Sequence, residues 1–174
     1  LKYNFLENLS FRSIAYRAKV YDQIETNSGY SKHENKLIDI NQEGIENEIL
    51  LKNNNETLSF YNIFSKSRKT NGQAQSRRPD LSYGLNYSKK KLASPIGNIN
   101  FNLNYKFTGK FIDWDGSANS EQKSTDILDM SLTKNLFGNF LSLKFTNLLN
   151  ERYEKPATYG QDGKQFKIGF KRLF

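Results

Sequence analysis

Residues capable of chemistry are plentiful in this sequence, but they are not arranged to perform it. Asp126 and Asp129 are the closest carboxylate pair at the edge of a regular segment and would suit acid and base work if both faced one cleft. They lie three apart in a segment that alternates like a strand, which sends them to opposite faces. Asp113-Trp114-Asp115-Gly116-Ser117 opens like a calcium loop, because hard cations take several oxygen ligands. Ala118 stands where a further ligand is needed, so the segment reads as an ordinary solvated loop. The single histidine, His33, lies among Ser28, Ser31, Lys32, Glu34 and Asn35 and cannot build a zinc site alone. With no cysteine there is no thiolate ligand, disulfide or Cys nucleophile. The serines and lysines lack a second histidine or a nucleophile elbow to activate them. The expectation is a protein that is not an enzyme and has no catalytic residue, cofactor or metal site.

The elements that could position any other kind of site are strands. In the last ten residues Phe166, Ile168, Phe170, Arg172 and Phe174 alternate with Gln165, Lys167, Gly169 and Lys171, a period of two with large apolar groups on one face. Phe166, Ile168, Phe170 and Phe174 are therefore expected to form a barrel-closing strand, since a closed barrel removes the exposed edge. The same alternation places Leu81, Tyr83, Leu85 and Tyr87 on one face, then Ile99, Phe101, Leu103, Tyr105 and Phe107. It continues with Leu128, Met130 and Leu132, and with Leu141, Leu143 and Phe145.

About nine strands are predicted: 1–5, 9–26, 37–52 with Gly44 as a bulge or kink, 57–68, one from Pro79, and one each around 99–108, 128–133, 141–146 and 165–174. Asn53, Asn54 and Asn55 are expected to turn through positive φ, which asparagine tolerates. The connections run short, long, short, long, as in outer-membrane barrels, whose periplasmic turns are short and extracellular loops long. Nine is an odd count for such a barrel. Residues 1–5 alternate from the start, with no signal peptide before them, so the chain is expected to be part of something larger.

Composition agrees. A hydrophobic content of 36% and mean hydropathy of −0.76 would suit a soluble domain, and the longest apolar runs, such as Ile49-Leu50-Leu51, are far shorter than the roughly 20 residues of a membrane helix. Neither argues against a barrel, whose strands average lipid-facing and lumen-facing residues. Thirteen Phe and ten Tyr fit strands and interfacial girdles. A net charge of +8 would attract nucleic acid, anionic headgroups or an acidic ligand. Its clusters, at Lys66, Arg68 and Lys69, at Arg77 and Arg78, and at Lys89 to Lys91, sit at strand ends and read as a solvated rim. Asn100, Asn102, Asn104, Lys106 and Thr108 would be costly in a dry core and imply a hydrated interior or a polar plug.

One stretch is more specific. Asn147-Leu148-Leu149-Asn150-Glu151-Arg152-Tyr153-Glu154, then Tyr159-Gly160, then a strand ending in Phe, resembles the C-terminal signature of TonB-dependent outer-membrane receptors. Asn41 to Glu46 and Arg77-Arg78-Pro79 resemble strand patterns of the same family. Residues 16–25, Arg77-Arg78-Pro79 and Gly109 to Asp113 are most similar to its cobalamin (vitamin B12) branch; Arg172 departs from the aromatic usual there. The resemblance implies an all-β fold, an antiparallel up-and-down transmembrane β-barrel, with residues 1–174 supplying about nine C-terminal strands of a larger, roughly 22-stranded barrel.

It also implies residence in the bacterial outer membrane, against lipid and lipopolysaccharide, and insertion by the barrel assembly machinery. A small-molecule ligand, cobalamin or another corrinoid, would be taken up with energy from the TonB complex, through an N-terminal plug not contained in this chain. No nucleic acid is implied. Trp114 and Tyr159, in the long loops, are expected either to touch ligand or lipopolysaccharide or to anchor the rim. The alternatives are an iron-siderophore receptor, a small stand-alone barrel acting as adhesin or passive pore, and a soluble basic β-protein binding nucleic acid through stacked aromatics.

Overall fold

The computed structural model describes residues 1–22, 24–26, 32–35, 38–115 and 117–172; Phe174 lies outside them, so the expectation for this residue is not placed. The described chain forms thirteen strands. Nine make one antiparallel sheet: β1 (Lys2–Leu6), β2 (Leu9–Val20), β5 (Ile40–Lys52), β6 (Glu56–Lys69), β7 (Leu81–Leu92), β8 (Ile99–Thr108), β11 (Thr125–Leu136), β12 (Asn139–Thr146) and β13 (Gln165–Lys171), each beside the next. The remaining four form two hairpins off the sheet, β3 (Ile24–Thr26) with β4 (His33–Asn35) and β9 (Phe111–Trp114) with β10 (Asn119–Gln122). Connections 7–8, 53–55, 93–98 and 137–138 lie at one rim; the described parts of the long connections between β2 and β5, β6 and β7, β8 and β11, and β12 and β13 lie at the other.

Register carries the alternation across the sheet, because directly paired residues share a face. Phe60 pairs Leu85, Leu85 pairs Tyr105, and Tyr105 pairs Leu128. Met130 pairs Phe145, which pairs Phe166. Ring pairs add to this face: Tyr83 stacks on Phe107 at 4.6 Å between centroids, and Phe145 lies 4.8 Å from Phe166. Charges bound the apolar band, Glu56 with Lys89 at the short-turn rim and Glu43 opposite Lys66 at the other. From Glu56 to Lys66 is ten residues of one strand, about 33 Å at 3.3 Å per residue. At a tilt near 45° that is roughly 23 Å along the membrane normal, close to the apolar band of an outer-membrane barrel.

Among the described residues no second layer covers either face. Ile40 and Ala157 are the only buried hydrophobic residues among those described, and the surface is 12,233 Å², against about 8,800 Å² for a compact monomer of this mass. Phe60, Phe64, Phe166, Ile168 and Phe170 are all exposed. Two buried apolar side chains cannot offset the chain entropy of so large a sheet in water, so lipid is the partner this face lacks. Among the described residues β1 and β13 are opposite edges and do not pair, so the nine strands form an open sheet.

Three expectations are corrected. Residues 9–26 are not one strand, because β2 ends at Val20 and Ile24–Thr26 turns to pair with His33–Asn35. Gly44 is not a bulge: register runs unbroken through it, opposite Tyr16 and Ser65. A Cβ there would meet the Tyr16 hydroxyl at 2.7 Å and the Phe64 carbonyl at 2.6 Å, and at Gly84 a Cβ would lie 2.6 Å from the Tyr61 ring. Each glycine makes room on the polar face for a tyrosine of the next strand.

The turn at 53–55 has no positive φ, whereas the two-residue turn Phe137-Gly138 has φ of 53° and 84°. Such a turn favours Asn-Gly, and Phe137 is fully exposed. Phe137→Asn is therefore expected to stabilise the β11–β12 hairpin by about 1 kcal/mol, measured as a higher temperature of heat-induced gel-shift of the assembled barrel.

Candidate functional site

The long loops are built, not merely solvated. In the connection 147–164 the chain leaves β12 at Asn147, with φ of 52°, a conformation asparagine accepts more readily than other side chains. Its Nδ2 donates to the carbonyls of Glu151 (2.8 Å) and Asp162 (3.1 Å), and its Oδ1 accepts the Glu151 N–H (2.9 Å). The Asn147 N–H donates to Asp129 Oδ1 at 2.8 Å. Asn150, also at positive φ, accepts the Lys164 N–H at 3.0 Å. A Cβ on Gly163 would strike that same Asn150 oxygen at 2.6 Å. The asparagines and glycine of this segment thus have geometric reasons to be where they are.

Asp113 joins this loop to two others. It is 1% exposed. Oδ1 accepts Arg77 Nε at 2.7 Å, from the connection 70–80, and the Trp114 N–H at 2.9 Å; Oδ2 accepts the Ala157 N–H at 2.8 Å, from the connection 147–164. Arg77, at φ of 61°, also donates its own N–H to the Ile112 carbonyl at 2.7 Å. Burial pushes the Asp113 carboxyl upward, but the Ala157 N–H, the Arg77 guanidinium and the Trp114 N–H outweigh it and hold the group below its ordinary value. Its contribution is therefore complete above the ordinary carboxylate value, and is lost only as pH falls through the lower native one. Asp115 is likewise lowered, by the Ala118 and Ser117 N–H groups it accepts at 2.8 and 2.9 Å. Both carboxylates thus serve protein donors, and no metal-holding group of three exists among the described residues.

Beneath the joined loops lies a cleft of about 310 Å³, lined by Arg77, Lys106, Phe111, Lys155 and Pro156, with Asp113 at its wall. A second cleft of about 180 Å³ shares Lys106, Phe111 and Lys155 and extends along the polar face past Lys123, Asp129 and Tyr153. Lys106 and Lys155 have no acidic partner among the described residues. The carboxylates nearby are engaged, Asp113 as above, Asp129 with the Asn147 N–H and Glu154 with the Thr158 N–H. The larger cleft sets Arg77, Lys106 and Lys155 against the one carboxylate of Asp113, leaving net positive charge beside the Phe111 ring at the long-loop end of the polar face. That suits an anionic ligand group.

Trp114 and Tyr159 are 45% and 66% exposed on the same loops, and neither lines either cleft. Phe166, Ile168 and Phe170 stand on the apolar face of β13, opposite Phe145, Leu143 and Leu141. Asp126 and Asp129 do face opposite ways, paired with Phe107 and Asn104. Sequence reading missed the cleft residues. The available signals were Lys106, a cation on a face otherwise of Asn and Thr, and the Arg77-Arg78-Pro79 run.

No protein-family model matches the sequence, and a search of curated proteins returns no match. Solved structures do match. The ferric-catecholate import receptor Fiu from Escherichia coli K12 superposes with a TM-score of 0.75 at 13% identity, over 99% of this chain and 26% of that one. The ferripyoverdine receptor of the Pseudomonas aeruginosa outer membrane gives 0.76 at 14%, over 97% and 25%. The FrpB iron transporter from Neisseria meningitidis gives 0.71 at 13%, over 98% and 30%. The chain thus spans between a quarter and a third of their length. These are iron and siderophore proteins by name, and the expected cobalamin branch gains no support from them. At such identities the likeness is one of fold: the nine antiparallel strands follow a sector of the β-barrels of those structures.

Proposed function

We propose that these residues are the C-terminal strands of a TonB-dependent receptor in the bacterial outer membrane, and that the receptor imports an anionic iron chelate of the siderophore class. The observation that carries the reading is the nine-stranded open sheet, which follows iron-receptor barrels over 97–99% of its length. The uncompensated cations of the cleft, Lys106 and Lys155, favour an anionic chelate over the corrinoid suggested by local sequence resemblance. In this reading a plug domain outside this chain fills the polar interior and contacts the TonB complex. Lipopolysaccharide and lipid surround the band, the barrel assembly machinery inserts it, and no chemical step is catalysed. Trp114 and Tyr159, exposed on the same loops, touch ligand or lipopolysaccharide or anchor the rim in this reading.

The test is growth of an iron-starved strain lacking its own receptors, carrying the full-length gene and supplied with ferric siderophores or cobalamin. Growth on a ferric chelate that depends on TonB is expected. Growth rescue by cobalamin alone, in a strain auxotrophic for it, would overturn the ligand class; rescue by neither would overturn the transport reading. Within the receptor, Lys106→Glu combined with Lys155→Glu is expected to weaken chelate binding at least about tenfold, by removing charge-assisted bonds. Labelled-iron binding to whole cells measures it, and an unchanged affinity would move the ligand elsewhere without touching the fold.

A further inference from the structure

Among the described residues the hairpin β9–β10 pairs only with itself and stands off the nine-stranded sheet, so what fixes it to its neighbours are contacts between loops. Asp113 makes them on both sides. One carboxylate oxygen takes Arg77 Nε from the connection 70–80, and the other takes the Ala157 N–H from the connection 147–164. We propose that Asp113 is a positioning residue that clasps the three outer loops 70–80, 109–124 and 147–164 into one rigid body, carrying Arg77 and Lys155 together at the cleft.

Each side of the clasp is prepared to receive it. Arg77 is held at positive φ with its N–H on the Ile112 carbonyl, so both its backbone and its side chain are committed to the hairpin. Ala157 is 3% exposed and sits in a tight turn closed by Lys155 N–H to the Tyr159 carbonyl and Tyr159 N–H to the Pro156 carbonyl, both at 3.0 Å, and by Thr158 N–H to Glu154 at 2.7 Å. A surface loop needs no buried carboxylate for solubility, and desolvating one is unfavourable unless every lone pair is matched. Here donors from two other loops match it. The remaining bridge between the hairpin loop and the last loop, Lys123 with Glu151 at 3.5 Å, is largely exposed on the lysine side and contributes little.

The sequence contains no cysteine in these 174 residues, so spin labels placed on cysteines report the clasp directly. Ser76, Asn119 and Gly160 are exposed, one on each loop, and a side chain at Gly160 meets nothing within 4 Å. In the full-length receptor, pulsed electron-electron resonance should give narrow distance distributions for the 76–119 and 119–160 pairs. Asp113→Ala should broaden both. Asp113→Asn keeps the shape but replaces one acceptor with an NH₂ group, which must face either Ala157 or Arg77 and Trp114, so it should broaden at least one.

Arg77→Met, at a side chain 62% exposed, should broaden the 76–119 pair and leave 119–160 narrow. This variant keeps the test decisive if the Asp113 variants fail to assemble. Distributions as narrow in assembled Asp113→Ala as in the parent, or no change at 76–119 in Arg77→Met, would overturn the proposal. The measurement needs no ligand, so it stands or falls apart from the iron-chelate reading.

Discussion

Asn147→Leu and Asn147→Asp in the full-length protein are both expected to release the connection 147–164, at a loss on the order of 2–3 kcal/mol. Asn147 is 5% exposed, and its side chain makes three bonds, two as donor and one as acceptor. Leucine leaves the Glu151 N–H and the Glu151 and Asp162 carbonyls without it; these half-buried to exposed groups regain water in part, so each lost bond costs about 0.5–1.5 kcal/mol. It also pays for the left-handed backbone, about 1–2 kcal/mol for a residue that is not glycine or asparagine. Aspartate keeps the shape and tolerates the backbone but aims a carboxylate at two carbonyl oxygens.

Asn147→Gly separates the terms, since glycine keeps the conformation and loses only the bonds. The readout is protease cleavage within 147–164 on intact cells, with the heat-modifiable barrel as the control for assembly. Cleavage of Asn147→Asp at the parental rate would show that the two donor bonds do not organise the loop. Release should spread, because the same loop delivers Ala157 to Asp113.

The strands were legible in the sequence, and the reason is physical. In a single sheet between lipid and a polar interior, each face meets one solvent along its whole length, so Phe101, Leu103 and Tyr105 alternate with Asn100, Asn102 and Asn104 without interruption from a packed layer. All nine strands of the sheet correspond to segments expected from that alternation. The hairpins β3–β4 and β9–β10 were not legible, because strands of three or four residues are too short to show an alternation. Asn119-Ser120-Glu121-Gln122 reads as loop on composition and is strand only through its pairing with β9.

Gly44 shows a second kind of blindness. A glycine inside a strand signals a bulge or a close approach, and the deciding neighbour, Tyr16, comes from another strand. The cleft is similar: Arg77, Lys106 and Lys155 are far apart in sequence and meet only through sheet register and loop folding. The terminal signature fared better. It was recognised by resemblance, and the structure supplies its cause in the left-handed Asn147 and Asn150 and in the oxygen that Gly163 makes room for.

Leu103→Arg should abolish or severely reduce the assembled barrel, whereas Asn102→Arg, one residue away, should be tolerated. Leu103 is directly paired with Tyr87 and Met130 on the apolar face, flanked by Phe101 and Tyr105, in the middle of a ten-residue strand. An arginine near a rim can bend its charge toward the headgroups. From mid-strand the reach is longest, and the penalty approaches about 2–4 kcal/mol. That is a large part of the stability of an ordinary domain.

Asn102 lies on the polar face, paired with Ser88 and Ser131, where an added charge remains hydrated and the lost bond to Ser131 is long at 3.3 Å. The two variants differ in side-chain direction and in little else, so the amount of heat-modifiable barrel in the outer-membrane fraction reads the direction itself. Tolerance of both would mean that this face does not meet lipid. Loss of Asn102→Arg with survival of Leu103→Arg would mean that the faces are reversed. Loss of Leu103→Arg alone ties the alternation in the sequence to the bilayer.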